Sequence, residues 1–106
     1  MQKVEIFPGI CGLITNVEAE MIDEDDISLK VISMCPNIRG MMEELGDEFE
    51  AFEICLQKPG NGPFFDYARE HFPAPVSCPA ICGIIKAAEA EAKLALPKSA
   101  YINFVE

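Results

Sequence analysis

An α+β fold is predicted for this 106-residue chain: two layers, an antiparallel sheet with helices packed on one face, in the order β-β-β-α-α-α-α-β. Three observations carry that expectation. Up to about residue 35 apolar and polar residues alternate with period two; beyond it they recur at i, i+3, i+4 and i+7. Acidic and Pro-Gly clusters punctuate the segments. Half of the residues are apolar and a quarter charged, which suits a globular core rather than a disordered chain, and the length suits one domain spanning residues 1–106.

Val4 and Ile6 alternate with Lys3 and Glu5, a short strand stopped by the turn chemistry of Pro8-Gly9. A second strand is expected from about Cys11 to Ile22. Its inner face would carry Cys11, Leu13, Val17, Ala19 and Met21, broken only by Thr15. Asp23-Glu24-Asp25-Asp26 reads as a solvated hairpin tip; it lacks the Gly and the distant Glu of a calcium loop. The third strand, from Ile27 to Met34 or Cys35, puts Ile27, Leu29, Val31 and Cys35 on one face, with Ser33 the exception. If these two strands close around residues 23–26, paired numbers sum to about 49. Cys35 then lies only roughly 10 Å along the strand from being level with Cys11.

Pro36-Asn37 opens a helix whose inner positions are Ile38, Met41, Met42 and Leu45, and Gly46 ends it, so Cys35 sits at a helix N-terminus. The two methionines are core filler at that spacing. Asp47-Glu48-Phe49-Glu50 matches a capping box, which predicts a second short helix facing inward with Phe49, Phe52 and Leu56 and ending at Cys55. Lys58 to Pro63 is a loop whose glycines fit no phosphate-binding pattern. Phe64 to Phe72 makes a third helix, carrying the lone histidine, His71.

Pro73-Ala74-Pro75 is extended and leads to the longest helix, expected over residues 78–95. Cys78 would cap it and Pro79 would take the first helical position. Cys82, four residues on, would share a face with Cys78. Ile81, Ile84, Ile85, Ala88, Ala92 and Leu96 form the inner stripe, with Glu89 and Lys93 as a surface pair. Ala100 to Val105 is expected as a closing strand.

Eighteen acidic against eight basic residues give a net charge of −10, which repels nucleic acid and anionic membrane surfaces. A basic protein partner, a cation or a homo-oligomer is left open. No apolar run reaches the length of a membrane span and the first residues lack a secretory pattern, so the cytoplasm is the expected location. In a reducing compartment, five cysteines point away from a disulfide framework and toward metal or thiol chemistry. Hydrolytic catalysis has no support, with one histidine and no glycine-flanked serine, and an enzyme is not the expected reading.

The cysteines suggest a site. A thiol at a helix N-terminus is biased toward thiolate by the helix dipole, which suits Cys35 and Cys78 as metal ligands. Cys11 shares their end of the sheet, and Cys55 is the candidate fourth ligand, with Cys82 and His71 in reserve. Four thiolates make a closed tetrahedral site for zinc, or hold an iron-sulfur cluster. The alternatives are a thiol redox or persulfide carrier, with Cys78 as nucleophile and Cys82 as resolving thiol, and an interaction module with no metal.

The order of Cys11 after a strand, Cys35 and Asn37 at a helix start, and Ser77-Cys78-Pro79 opening the last helix resembles the small domain named for its Thr-Ser-Cys-Pro-Asp motif. Val76 and Ala80 stand where that motif has Thr and Asp. The same layout looks more loosely like the U-type iron-sulfur cluster scaffold proteins. Leu94-Ala95-Leu96-Pro97-Lys98 after a Ser-Cys-Pro helix is similar to small prokaryotic proteins without an assigned activity. The first two resemblances imply metal-ligand roles for Cys11, Cys35 and Cys78.

Overall fold

The computed structural model describes residues 1–106. Strands β1 (Gln2–Ile6), β2 (Thr15–Met21) and β3 (Asp26–Ser33) form a meander, followed by helix α1 (Pro36–Leu45) and a three-residue strand β4 (Glu48–Glu50). Helices α2 (Ala51–Cys55), α3 (Pro63–His71) and α4 (Ala80–Glu91) complete the fold. The sheet order is β1-β2-β3-β4 with every pair antiparallel. This is the expected α+β class, with a different element order: the fourth strand comes between α1 and α2 rather than at the C-terminus.

The period-two pattern decides which face is covered. Val17, Ala19, Ile27 and Leu29 are at most 1 % exposed, and Val4 and Val31 pack against them. Full burial of a side chain the size of Leu29 contributes about 1.5–3 kcal/mol. The opposite face is polar, and there Glu18 lies level with Lys3 on one side and Lys30 on the other, an alternation of charge that favours this register. The β2–β3 pairing runs Thr15↔Ser33 to Met21↔Ile27, so paired numbers sum to 48, one less than expected. At the hairpin tip Asp23 Oδ1 accepts from the Asp25 and Asp26 amides, which holds its carboxyl below the usual carboxylate range.

Several boundaries differ from the sequence expectation. Strand β2 starts at Thr15, because Gly9 and Gly12 take positive φ (94° and 67°) and the Gly12 amide closes a turn onto the Gly9 carbonyl; Cys11 is in that turn, not on the sheet. Glu48–Glu50 is strand rather than the start of a helix. The open edge of β3 takes it up: Phe49 pairs with Ile27, and the Leu29 amide donates to the Asp47 carbonyl at 2.7 Å. Glu50 then caps α2 by accepting from the Phe52 amide. The helix turns inward with Ala51 and Ile54, while Phe52 and Leu56 are exposed. Phe49 packs from the strand instead, its ring 5.1 Å from Phe64.

Helix α4 lies across β1 and β2 with Ile81, Ile84, Ala87 and Ala88 buried. Its direction is fixed at both ends. Near its start Gly83 is pressed so closely on Ile6 that a Cβ would overlap that side chain. At its end Glu91 accepts from the Met21 amide at 3.0 Å and meets the Met1 amino group at 3.4 Å. The helix therefore runs opposite to β1. It ends at Glu91 rather than residue 95, with Lys93 at φ 63°, so the expected Glu89–Lys93 helical pair is not formed and Leu96 is exposed. Residues 100–105 form no strand and pair with nothing in the sheet.

Candidate thiol sites at the sheet end and in the α2–α4 cleft

Three of the five cysteines lie on chain segments that leave the sheet toward the same end. Beyond the last strand pair, the Met34 amide still donates to the Ile14 carbonyl, so the chain segments holding Cys35 and Cys11 leave the sheet together. Gly83 on Ile6 brings the start of α4, and with it the segment of Cys78, to the same end. Each of these cysteines has a large exposed apolar neighbour in the chain: Ile10 beside Cys11, Met34 beside Cys35, and Val76 two residues before Cys78.

Their settings differ. Cys35 is half-buried against the core as the N-cap residue of α1, with Pro36 behind it, and its amide donates to Ser33 Oγ at 3.0 Å. Ser33 Oγ is in turn 2.7 Å from Thr15 Oγ1. The two residues that interrupt the apolar inner face are thus a bonded pair, and they seat the backbone of Cys35. Cys11 is exposed in the Gly9–Gly12 turn. Cys78 is exposed as well, and it does not cap α4: Pro79 holds the N-cap position, its carbonyl accepting from the Gly83 amide, and the helix begins at Ala80. Cys78 and Cys82 therefore do not share a helical face.

Cys55 belongs elsewhere. It lines a cleft of about 360 Å³ between α2, the 57–61 loop and α4, and the other thiol in that cleft is Cys82. Lys58, Lys86 and Glu89 border it, with Ile85 and Phe65 as apolar walls. Burial, with a smaller contribution from the Glu89 charge, pushes the Cys55 thiol up to about 11. At neutral pH it is a protonated, weakly reactive group. His71, the reserve ligand, ends α3 exposed and stacks on Tyr67 with ring centroids 4.3 Å apart. No three His, Cys, Asp or Glu side chains form a group able to hold a metal ion. The expected four-thiolate set of Cys11, Cys35, Cys55 and Cys78 is thus not preassembled. Cys11, Cys35 and Cys78 form no such group by themselves either, and α2, led off by β4, carries Cys55 to the flank of α4.

The Cys55–Cys82 cleft was not foreseen. Its signal was in the sequence: Cys82, Ile85, Lys86 and Glu89 recur at i, i+3, i+4 and i+7 beside the core stripe of α4. Once Ile85 is assigned to the core, that second stripe disappears.

No helix is long and apolar enough to cross a membrane. What the fold and the thiols define is a class, a two-layer α+β domain rich in free cysteine. Within it, residues 2–104 match the model of a family of unknown function (DUF6951), and the chain belongs to that family. No curated protein and no solved structure matches the chain. The family match lends no support to the resemblances to the Thr-Ser-Cys-Pro-Asp domain or the U-type scaffold proteins.

Proposed function

We propose that this protein is a thiolate metal-binding domain, taking zinc or an iron-sulfur cluster at the end of the sheet through Cys11, Cys35 and Cys78. The observation that supports the reading is the contact of Gly83 with Ile6, which brings the Cys78 segment to the sheet end that Cys11 and Cys35 already share. Two of the three thiols ride on irregular backbone, the Gly9–Gly12 turn and the segment after α3, and Cys35 is anchored by Ser33. Binding would draw the two loops onto the fixed thiol, a coupling of metal and local order general to sites absent from the apo chain. Ile10, Met34 and Val76 would then close over the metal and keep water from the thiolates. With Cys55 in another cleft, three thiolates leave a fourth position for Cys82, solvent or an external ligand.

Metal analysis of protein purified without oxygen tests this. About one zinc per chain, or a visible absorption band from a cluster, is the expected result; metal-free protein with Cys11, Cys35 and Cys78 all open to alkylation overturns it.

A second reading has its own observation, the shared cleft of Cys55 and Cys82. Exposed Cys82 would act as the exchanging thiol, attacking a disulfide to leave a mixed disulfide and release a thiolate. The protonated Cys55 would resolve that product slowly. Thiol trapping of metal-free protein with a small disulfide separates this reading from the first.

A further inference from the structure

The last residues of the chain leave the body of the protein with a composition made for a sheet. Tyr101, Ile102, Phe104 and Val105 are β-formers, and they are 80 %, 89 %, 102 % and 89 % exposed. They cover on the order of 600 Å² per chain, as much as the largest apolar patch of an ordinary monomer. The sheet meanwhile ends in an open edge, since β1 has a neighbour on one side only. β1 has five residues and the apolar tail six, so the two match in length. The family match takes in the tail as far as Phe104.

We infer that Ala100–Val105 adds as a strand to the β1 edge of a second copy of this chain, and that the exchange is reciprocal. The direction of α4 argues for a second copy over the chain's own edge. Because α4 runs opposite to β1 and ends beside Met1, a tail turning back onto its own β1 would lie parallel to it. Every other pair in this sheet is antiparallel, which is the stronger ladder. A two-fold partner offers its β1 in the antiparallel sense. Ile102 and Phe104 would face one side of the sheet and Tyr101 and Val105 the other. One face of each tail, together with the partner surface it covers, comes to about 1,200 Å² of total buried surface, which reaches the size of a specific interface. Main-chain hydrogen bonds along the edge would supply the pairing, and alternate side chains the specificity. The occupant is uncharged from Ala100 to Val105, so the net charge of −10 adds no repulsion inside the contact itself.

Sedimentation of the full chain from micromolar to submillimolar concentration tests the exchange, together with amide exchange along β1. A dimer is expected, and both deletion of residues 100–106 and the double variant Ile102→Asp/Phe104→Asp should yield monomer with faster exchange in β1. These residues support no core contact, so both variants should fold. A monomeric full chain overturns the inference, whether its tail amides are protected on its own edge or free, and so does a dimer that survives the deletion.

Discussion

Thr15 and Ser33 face each other across β2 and β3 with their hydroxyl oxygens 2.7 Å apart, in the only buried polar pair of the sheet. Ser33 also accepts from the Cys35 amide, so the pair joins the core of the sheet to the N-terminus of α1.

Ser33→Ala leaves the buried Thr15 hydroxyl alone and takes the acceptor from the Cys35 amide, whereas Thr15→Val leaves Ser33 only that amide; each should cost about 1–3 kcal/mol, Ser33→Ala the more. The Thr15→Val/Ser33→Ala double variant should cost less than the sum of the two. Urea unfolding measures the cycle, and strict additivity would show that the hydroxyls do not interact.

Gly83→Ala sets two effects against each other. Helix propensity favours Ala by about 0.8–1.0 kcal/mol, whereas forcing a methyl against Ile6 costs about 1–3 kcal/mol. The net expectation is destabilisation. Ile6→Val in the same chain should recover part of it, because the overlap is with the Cγ1 and Cδ1 atoms, of which Val lacks the outer one.

Glu91 joins three elements, accepting from the Met21 amide and meeting the Met1 amino group. Glu91→Ala should lower stability by about 1.5–3 kcal/mol, the worth of a charged hydrogen bond, with faster amide exchange at Met21. Unchanged exchange there would mean the carboxylate does not hold the end of β2.

Cys55 makes a prediction about pH. Its folded pKa of about 11 lies above the ordinary 9.0, so between these values the native state keeps a proton that the unfolded chain releases. The stability from this group is fully present below pH 9 and falls as pH rises toward 11. Alkylation of Cys55 should accordingly be slow at neutral pH and accelerate above pH 9, and Glu89→Gln should move the profile downward. A profile centred at or below 9 would contradict the buried setting.

If the metal reading holds, Cys35→Ala and Cys78→Ala should each abolish metal retention, while Cys55→Ala should leave it unchanged. Equal loss in all three would return Cys55 to the ligand set.

Much of this molecule was legible in the order of its residues. The period-two pattern from Val4 to Ser33 dictates a one-faced antiparallel sheet, since alternate side chains must point to opposite sides. The spacing of Ile38 and Met41, closed by Gly46, dictates α1. Pattern alone could not show that Thr15 and Ser33 satisfy each other, because a hydroxyl on an apolar face is an anomaly until its partner across the strands is known. The same holds for Glu48–Glu50, where a local capping signal yielded to the vacant hydrogen bonds along β3. Which thiols meet was likewise decided in three dimensions. Cys55 and Cys82 are 27 residues apart and came together because β4 turns α2 onto α4. Local preference is written in neighbouring residues, whereas contact between distant ones depends on which packing of whole elements buries the most apolar surface and leaves the fewest polar groups unpaired.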